Sequence, residues 1–140
     1  MQNDSFIDIV MEYIEPGSLK DWLVDTLYAH GPLKESTVVY IMKQLLQGVN
    51  YLHSNGICHR DLKPSNILVE DVNLRGEPYV KLADFGFATL FKSDNSTMGK
   101  FLKMGTLEYM APELVSEIGH DEKVDVWALG CIAVELLCEG

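Results

Sequence analysis

The run His59-Arg60-Asp61-Leu62-Lys63-Pro64-Ser65-Asn66 constrains this chain more than any other stretch. Pro64 fixes its own φ and pushes Lys63 towards an extended backbone, so a helix cannot run through these residues. Ile57-Cys58 before the run and Ile67-Leu68-Val69 after it are short apolar pieces that read as strands. The expectation is a polar loop pinned between two buried strands, where a fold can hold reacting groups still. Asp61 and Asn66 bring a carboxylate and a carboxamide able to handle protons or metals, and Arg60 and Lys63 bring two cations. A lone His-Arg-Asp is ordinarily a solvated turn. Six specified residues at fixed spacing occur by chance only about once in tens of millions of start positions.

The rest of the chain supplies a frame for that loop. Phe6 to Tyr13 alternates and then runs apolar, which predicts a strand buried on at least one face. Glu15-Pro16-Gly17 breaks it, and Ser18 with Asp21 three residues on offers a capping box for a helix from Leu19 to about Ala29. After Gly31-Pro32 a longer helix is predicted over Glu35 to Ser54. Its apolar stripe is Val38, Ile41, Leu45, Val49 and Leu52, widened by Met42 and Leu46, with Asn55-Gly56 as the stop. Glu70 to Pro78 reads as a hairpin connection, and Tyr79 to Ala83 as the returning strand, which places Asp84 at a strand end with Gly86 behind it. Phe87 to Lys103 is polar and without period. From about Glu122 to Cys138 the chain is apolar on every side, the pattern of a buried helix.

Bulk properties narrow the partners. The chain has 140 residues, 47% hydrophobic and 23% charged, enough for one core, and a net charge of −10. That charge argues against nucleic acid or an anionic membrane as the main partner, since both reward clustered Lys and Arg. No Lys or Arg precedes Lys20, so no basic leader is expected, and the apolar run Val126 to Cys138 is too short to span a bilayer. Three scattered cysteines are not a disulfide framework; Cys131 and Cys138 on one helix would lie about 10 Å apart by the helical rise. Reduced core thiols in the cytosol or nucleus are the expectation.

The loop resembles the catalytic loop of eukaryotic protein kinases, and four further motifs follow in that family's order. They are Leu82-Ala83-Asp84-Phe85-Gly86, Gly105-Thr106, Tyr109-Met110-Ala111-Pro112-Glu113 and Asp125-Val126-Trp127-Ala128-Leu129-Gly130. The resemblance covers about Ile9 to Gly140 and implies one partial protein kinase domain over residues 1–140. Its fold would be α+β, mostly the helical C-terminal lobe with the hinge strand. By the same resemblance Asp61 accepts or orients the proton of an attacking hydroxyl, Lys63 steadies the transferring phosphate, and Thr106 bonds to both. Asn66 and Asp84 hold Mg²⁺. ATP is met by Met11 at the back of the nucleotide pocket, the backbone of Glu12 and Ile14 at the adenine edge, Ser18 near the ribose and Leu68 as the apolar floor. Asp125 bonds back to the loop backbone.

The form Lys63-Pro64-Ser65-Asn66, with Thr106, is similar to serine/threonine kinases, and the hinge run and last helix resemble the MAP-kinase-kinase-kinase-like group. A protein substrate with a Ser or Thr hydroxyl is implied. An upstream kinase acting on Ser93, Ser96 or Thr97 is implied too, although the family's usual position, three before Gly105, is Leu102 here. The eleven glycines never take the spacing G-x-G-x-x-G, and no Val-Ala-Ile-Lys strand occurs. Residues 1–140 alone are therefore expected to show little or no activity, and poor solubility as well, because the family's N-terminal lobe and the last helices that would cover the Glu122–Cys138 helix are expected to be missing from them. Two functional readings follow: a fragment of a serine/threonine kinase, or a catalytically inactive decoy or scaffold that binds kinase partners.

Overall fold

The computed structural model of the chain describes residues 9–15, 17–91, 105–116 and 119–138. The elements in order are α1 (Leu19–His30), α2 (Glu35–Ser54), β1 (Ile57–Cys58), β2 (Ile67–Val72), β3 (Pro78–Leu82), β4 (Thr89–Leu90), α3 (Pro112–Val115) and α4 (Lys123–Cys138). The architecture is α+β, with β1 paired to β4 and β2 to β3, both antiparallel.

The helices begin and end where local chemistry dictates. Ser18 caps α1: its Oγ accepts the Asp21 N–H at 3.2 Å, and Asp21 Oδ2 takes the Ser18 N–H at 3.2 Å and hydroxyl at 2.6 Å. Those bonds from Ser18 pull the Asp21 carboxyl below its ordinary pKa. Gly31, at φ 73°, stops the helix in a region open mainly to glycine. In α2 the predicted seam Val38, Ile41, Leu45, Val49 and Leu52 is buried throughout. Met42 is half-buried against that core, but Leu46 is exposed, so the stripe is narrower on that side than its apolar composition predicts.

One core joins these pieces. Leu19 and Leu23 of α1, Ile41 and Leu45 of α2, Leu62 of the loop, Ile67 and Val69 of β2, and Ile132 and Leu136 of α4 meet in it. The β2–β3 hairpin is closed by Asn73 and Glu77, a shorter connection than predicted because β2 runs on to Val72. Gln44 of α2 binds the β3 edge twice, donating to the Pro78 carbonyl at 3.0 Å and accepting the Val80 N–H at 3.1 Å. A side chain thus satisfies backbone groups that would otherwise face the helix unpaired.

α4 shows the uncovered apolar face expected of it: Val124, Asp125, Ala128, Leu129, Ile132 and Leu136 face inward, while Val126, Trp127, Val134 and Leu137 are exposed. A sixteen-residue helix resting on one neighbouring layer covers one face only. The predicted strand over Phe6 to Tyr13 is not formed in its described part. Residues 9–13 have no ladder partner among the described residues, and Ile9, Val10, Met11 and Tyr13 lie exposed. Apolar alternation cannot make a strand without a second strand to bond. Phe6, Ser93, Ser96, Thr97 and Leu102 lie outside the described residues. Among those described, no helix is long and apolar enough to cross a membrane.

Candidate active site

The loop hangs between β1 and β2 and is shaped by one buried carboxylate from far along the chain. Asp125, 1% exposed near the start of α4, accepts the His59 N–H on Oδ2 at 2.9 Å and the Arg60 N–H on Oδ1 at 2.8 Å. A buried carboxylate taking backbone N–H groups is a strong, charge-assisted anchor. It holds Arg60 at φ 66°, a left-handed conformation that a side chain normally disfavours. Arg60 Nε donates to the Phe87 carbonyl at 2.7 Å, joining the loop to the turn after Asp84. His59 is fully buried beneath: Nε2 donates to the Ala83 carbonyl at 3.0 Å, and the ring sits 4.9 Å from that of Phe85.

Asp61 emerges from this frame with both carboxylate oxygens engaged. Oδ1 accepts the Thr106 N–H at 3.0 Å and its hydroxyl at 3.2 Å. Oδ2 accepts Asn66 Nδ2 at 2.8 Å and lies 3.0 Å from Lys63 Nζ. Lys63 Nζ also donates to Thr106 Oγ1 at 2.7 Å, closing a ring of three side chains. Gly105 makes the approach of Thr106 possible: its φ is 112°, and a Cβ there would stand 3.0 Å from the Arg60 carbonyl oxygen.

Asn66 and Asp84 are brought to neighbouring positions by backbone pairing. Pro64–Asn66 forms a single 3₁₀ turn with Pro64 first, so the proline starts a turn as well as barring a longer helix. The Ala83 N–H then donates to the Asn66 carbonyl at 2.9 Å, continuing the β2–β3 register to the residue before Asp84. Asn66 Nδ2 is committed to Asp61, through Oδ2 and the main-chain oxygen at 2.9 Å, which leaves Asn66 Oδ1 as its acceptor. Asp84 is exposed and left-handed (φ 57°, ψ 75°), with Oδ1 accepting the Gly86 N–H at 3.2 Å.

A protein kinase domain model matches residues 1–140 of this chain. The chain belongs to the protein kinase family. It is 37% identical over 142 residues to Serine/threonine-protein kinase cds1 of Schizosaccharomyces pombe. It is 40% identical over 143 residues to Serine/threonine-protein kinase SKM1 of Saccharomyces cerevisiae, and 38% over 135 to Mitogen-activated protein kinase kinase kinase A of Dictyostelium discoideum. These alignments take in 97, 96 and 96% of the chain but only 28, 20 and 13% of the three relatives. The kinase family uses ATP and a divalent metal.

Within this kinase domain the predicted positions divide into three sets. Asp61, Lys63, Asn66 and Thr106 form one bonded cluster, with Asp84 one residue beyond a strand register fixed on Asn66. Ser18 and Leu68 are paired as a β-bridge, with the Val69 N–H on the Gly17 carbonyl at 2.9 Å. The third piece stays open: Met11 is 79% exposed, Ile14 is half-buried, and the Glu12 side chain pairs with Lys81 of β3 at 3.0 Å. Lys81 also pairs with Glu70 at 2.7 Å. The tie from Lys81 to Glu12 had no signal in the sequence, because neither residue belongs to a motif. His53, bonded to Asp125, carries no signal in the sequence beyond its place in the predicted helix Glu35 to Ser54.

The donor chemistry fits a hard cation. Among the described residues no three His, Cys, Asp or Glu side chains converge as a metal cage. Asn66 Oδ1 and the Asp84 carboxylate offer oxygen donors, few in number, which would suit an ion whose remaining ligands are water and phosphate oxygens.

Proposed function

We propose that this chain carries the catalytic loop of a serine/threonine protein kinase that moves the γ-phosphate of Mg²⁺-ATP to a protein hydroxyl. The observation that carries the reading is the engagement of Asp61 by Lys63, Asn66 and Thr106 at 2.8 to 3.2 Å. Phosphoryl transfer demands positioning and countercharge more than covalent chemistry. Asp61, with its backbone fixed through Arg60 and its carboxylate fixed by four donors, is a base whose direction is set before substrate arrives. Lys63 stands against the same carboxylate as a point charge and steadies the phosphate being passed. Thr106 sits on both and reports, through its backbone N–H, whether the segment ending at Gly105 is in place.

Asn66 and Asp84 would hold Mg²⁺, which supplies charge neutralisation on the phosphate tail when bound. Met11, the backbone of Glu12 and Ile14, Ser18 and Leu68 would line the adenine and ribose, with residues 9–15 brought onto the Ser18–Leu68 bridge. The serine/threonine kinases among the relatives support serine/threonine specificity, as do Lys63 and Thr106. Protein substrates presenting Ser or Thr, control by an upstream kinase at Ser93, Ser96 or Thr97, and residence in the cytosol or nucleus belong to the same proposal.

The test is transfer from radiolabelled ATP in a domain where a glycine-rich loop and a strand lysine precede residues 1–140. Label should appear on Ser or Thr peptides and not on Tyr peptides, and should vanish with EDTA. Binding to partner kinases without any transfer would replace this reading with the decoy one.

A further inference from the structure

The outer side of α2 and the β2–β3 hairpin leave between them a groove of about 810 Å³, with α2 as one wall and Asp71 to Arg75 in the other. Val39, Val72 and Leu74 give it exposed apolar surface, Leu74 standing clear at the hairpin tip. Tyr40 of α2 and Tyr79 of β3 join the two walls edge to face, with ring centroids 6.0 Å apart. Val39 and Lys43 also border a neighbouring hollow of about 510 Å³ that takes in Met42, Leu46 and Asn50. From Ser36 to Asn50 the two together run about 21 Å by the helical rise, the length of about six extended residues.

The charges of the groove are unevenly committed. Glu77 Oε2 accepts Asn73 Nδ2 at 2.9 Å, and Asp71 Oδ1 accepts the Val72 N–H at 2.7 Å, so both carboxylates serve the hairpin itself. Lys43 and Arg75 make no ion pair among the described residues. A chain of net charge −10 thus keeps two unpaired cations beside exposed apolar surface.

We propose that this groove docks a short segment of a partner protein in which apolar side chains alternate with Asp or Glu. The apolar side chains enter between Val39, Val72 and Leu74, and the carboxylates meet Lys43 and Arg75. Two cations are too few for an anionic membrane or a nucleic acid, each of which is held by a larger cluster of Lys and Arg. The length of the groove suits a peptide rather than a single small molecule. Its residues take no part in the Asp61 cluster, so the proposal does not rest on the phosphoryl-transfer reading.

The experiment is fluorescence anisotropy of a labelled peptide, Glu-Leu-Glu-Phe-Asp-Leu-Glu-Glu, titrated with the 140-residue chain. Saturable binding is expected. Lys43→Glu with Arg75→Glu should weaken it by about tenfold or more, and Val39→Ser with Leu74→Ser by about fivefold. All four residues are exposed, so the substitutions leave the fold intact. Val24→Ser, at an exposed apolar residue of α1, should stay within about twofold of the native chain. No saturable binding by the native chain overturns the proposal, as does equal binding by both double variants. A peptide with Lys at every acidic position that binds as tightly overturns it too. So does sedimentation showing that Val39, Lys43, Leu74 and Arg75 pair two copies of the chain while the peptide stays free. Phosphoryl transfer by a completed domain is measured apart from this titration, and its failure leaves the peptide result standing.

Discussion

The loop from Ile57 to Val69 and the segment from Ile9 to Glu15 are both predicted to serve one nucleotide, yet they are held by opposite means. The loop is fixed from within: His59, Asp61 and Asn66 are buried polar residues, and each has its partners inside the protein. The segment is fixed, where it is fixed at all, by surface charge, through Glu12 on Lys81. Buried, fully bonded polar networks specify one geometry, whereas exposed ion pairs contribute little and yield to salt. The difference teaches that the half of the site proposed for chemistry is preorganised by the chain itself, whereas residues 9–15 of the half proposed for the nucleotide are not.

Substitutions can break or sharpen that contrast. The largest effect is expected at Asp125. Removing its carboxylate in Asp125→Ala strands two backbone N–H groups and the His53 side chain, and should cost about 3–5 kcal/mol in urea unfolding. A loss below about 1 kcal/mol would mean the loop is held by something else. Next comes the core: Ile41→Ala should cost about 3 kcal/mol, while Val10→Ala, at a residue 95% exposed, should stay within about 0.5 kcal/mol. Equal losses would erase the contrast between the two regions.

Thiol chemistry reads the same contrast more gently. Burial, with Asp125 beside it, pushes the Cys58 thiol well above its ordinary pKa. A raised folded-state pKa favours the protonated form, so the stability it contributes is complete below about pH 9 and falls as pH rises beyond that value. At pH 8 an aromatic disulfide reagent should label exposed Cys138 quickly and Cys58 only on unfolding; prompt labelling of Cys58 would show that the interior is open. The smallest effect is expected at Lys81. Lys81→Ala should leave the unfolding midpoint unmoved but speed proteolytic cleavage near Tyr13, and about 0.5 M salt should do the same to the native chain.

Much of this was legible from residue order, and the exceptions share a cause. The bounds of α2, the capping box at Ser18, the strands flanking the loop and the reach of Asp125 follow from local chemistry or from motifs whose spacing carries geometry. The α1 helix runs one residue past its predicted end because Gly31, not Ala29, supplies the stop. What could not be read depended on neighbours. The fate of residues 9–13 depends on a strand partner, and that of Leu46 on which side of α2 meets the sheet. Apolar composition marks a surface for burial without saying what will bury it. The service of His53 to Asp125 was hidden for the same reason, since 72 positions separate them.

The most direct test of the account is Asp61→Asn in the domain completed with a glycine-rich loop and strand lysine. The amide keeps the size of the carboxylate and its contact with Thr106 but gives up the charge and the proton-accepting oxygen pair. Turnover should fall by about a hundred- to ten-thousand-fold while the dissociation constant for Mg²⁺-ATP stays within about threefold. Turnover within threefold of the unsubstituted domain would contradict the central claim that the buried, four-donor grip on Asp61 exists to direct phosphoryl transfer.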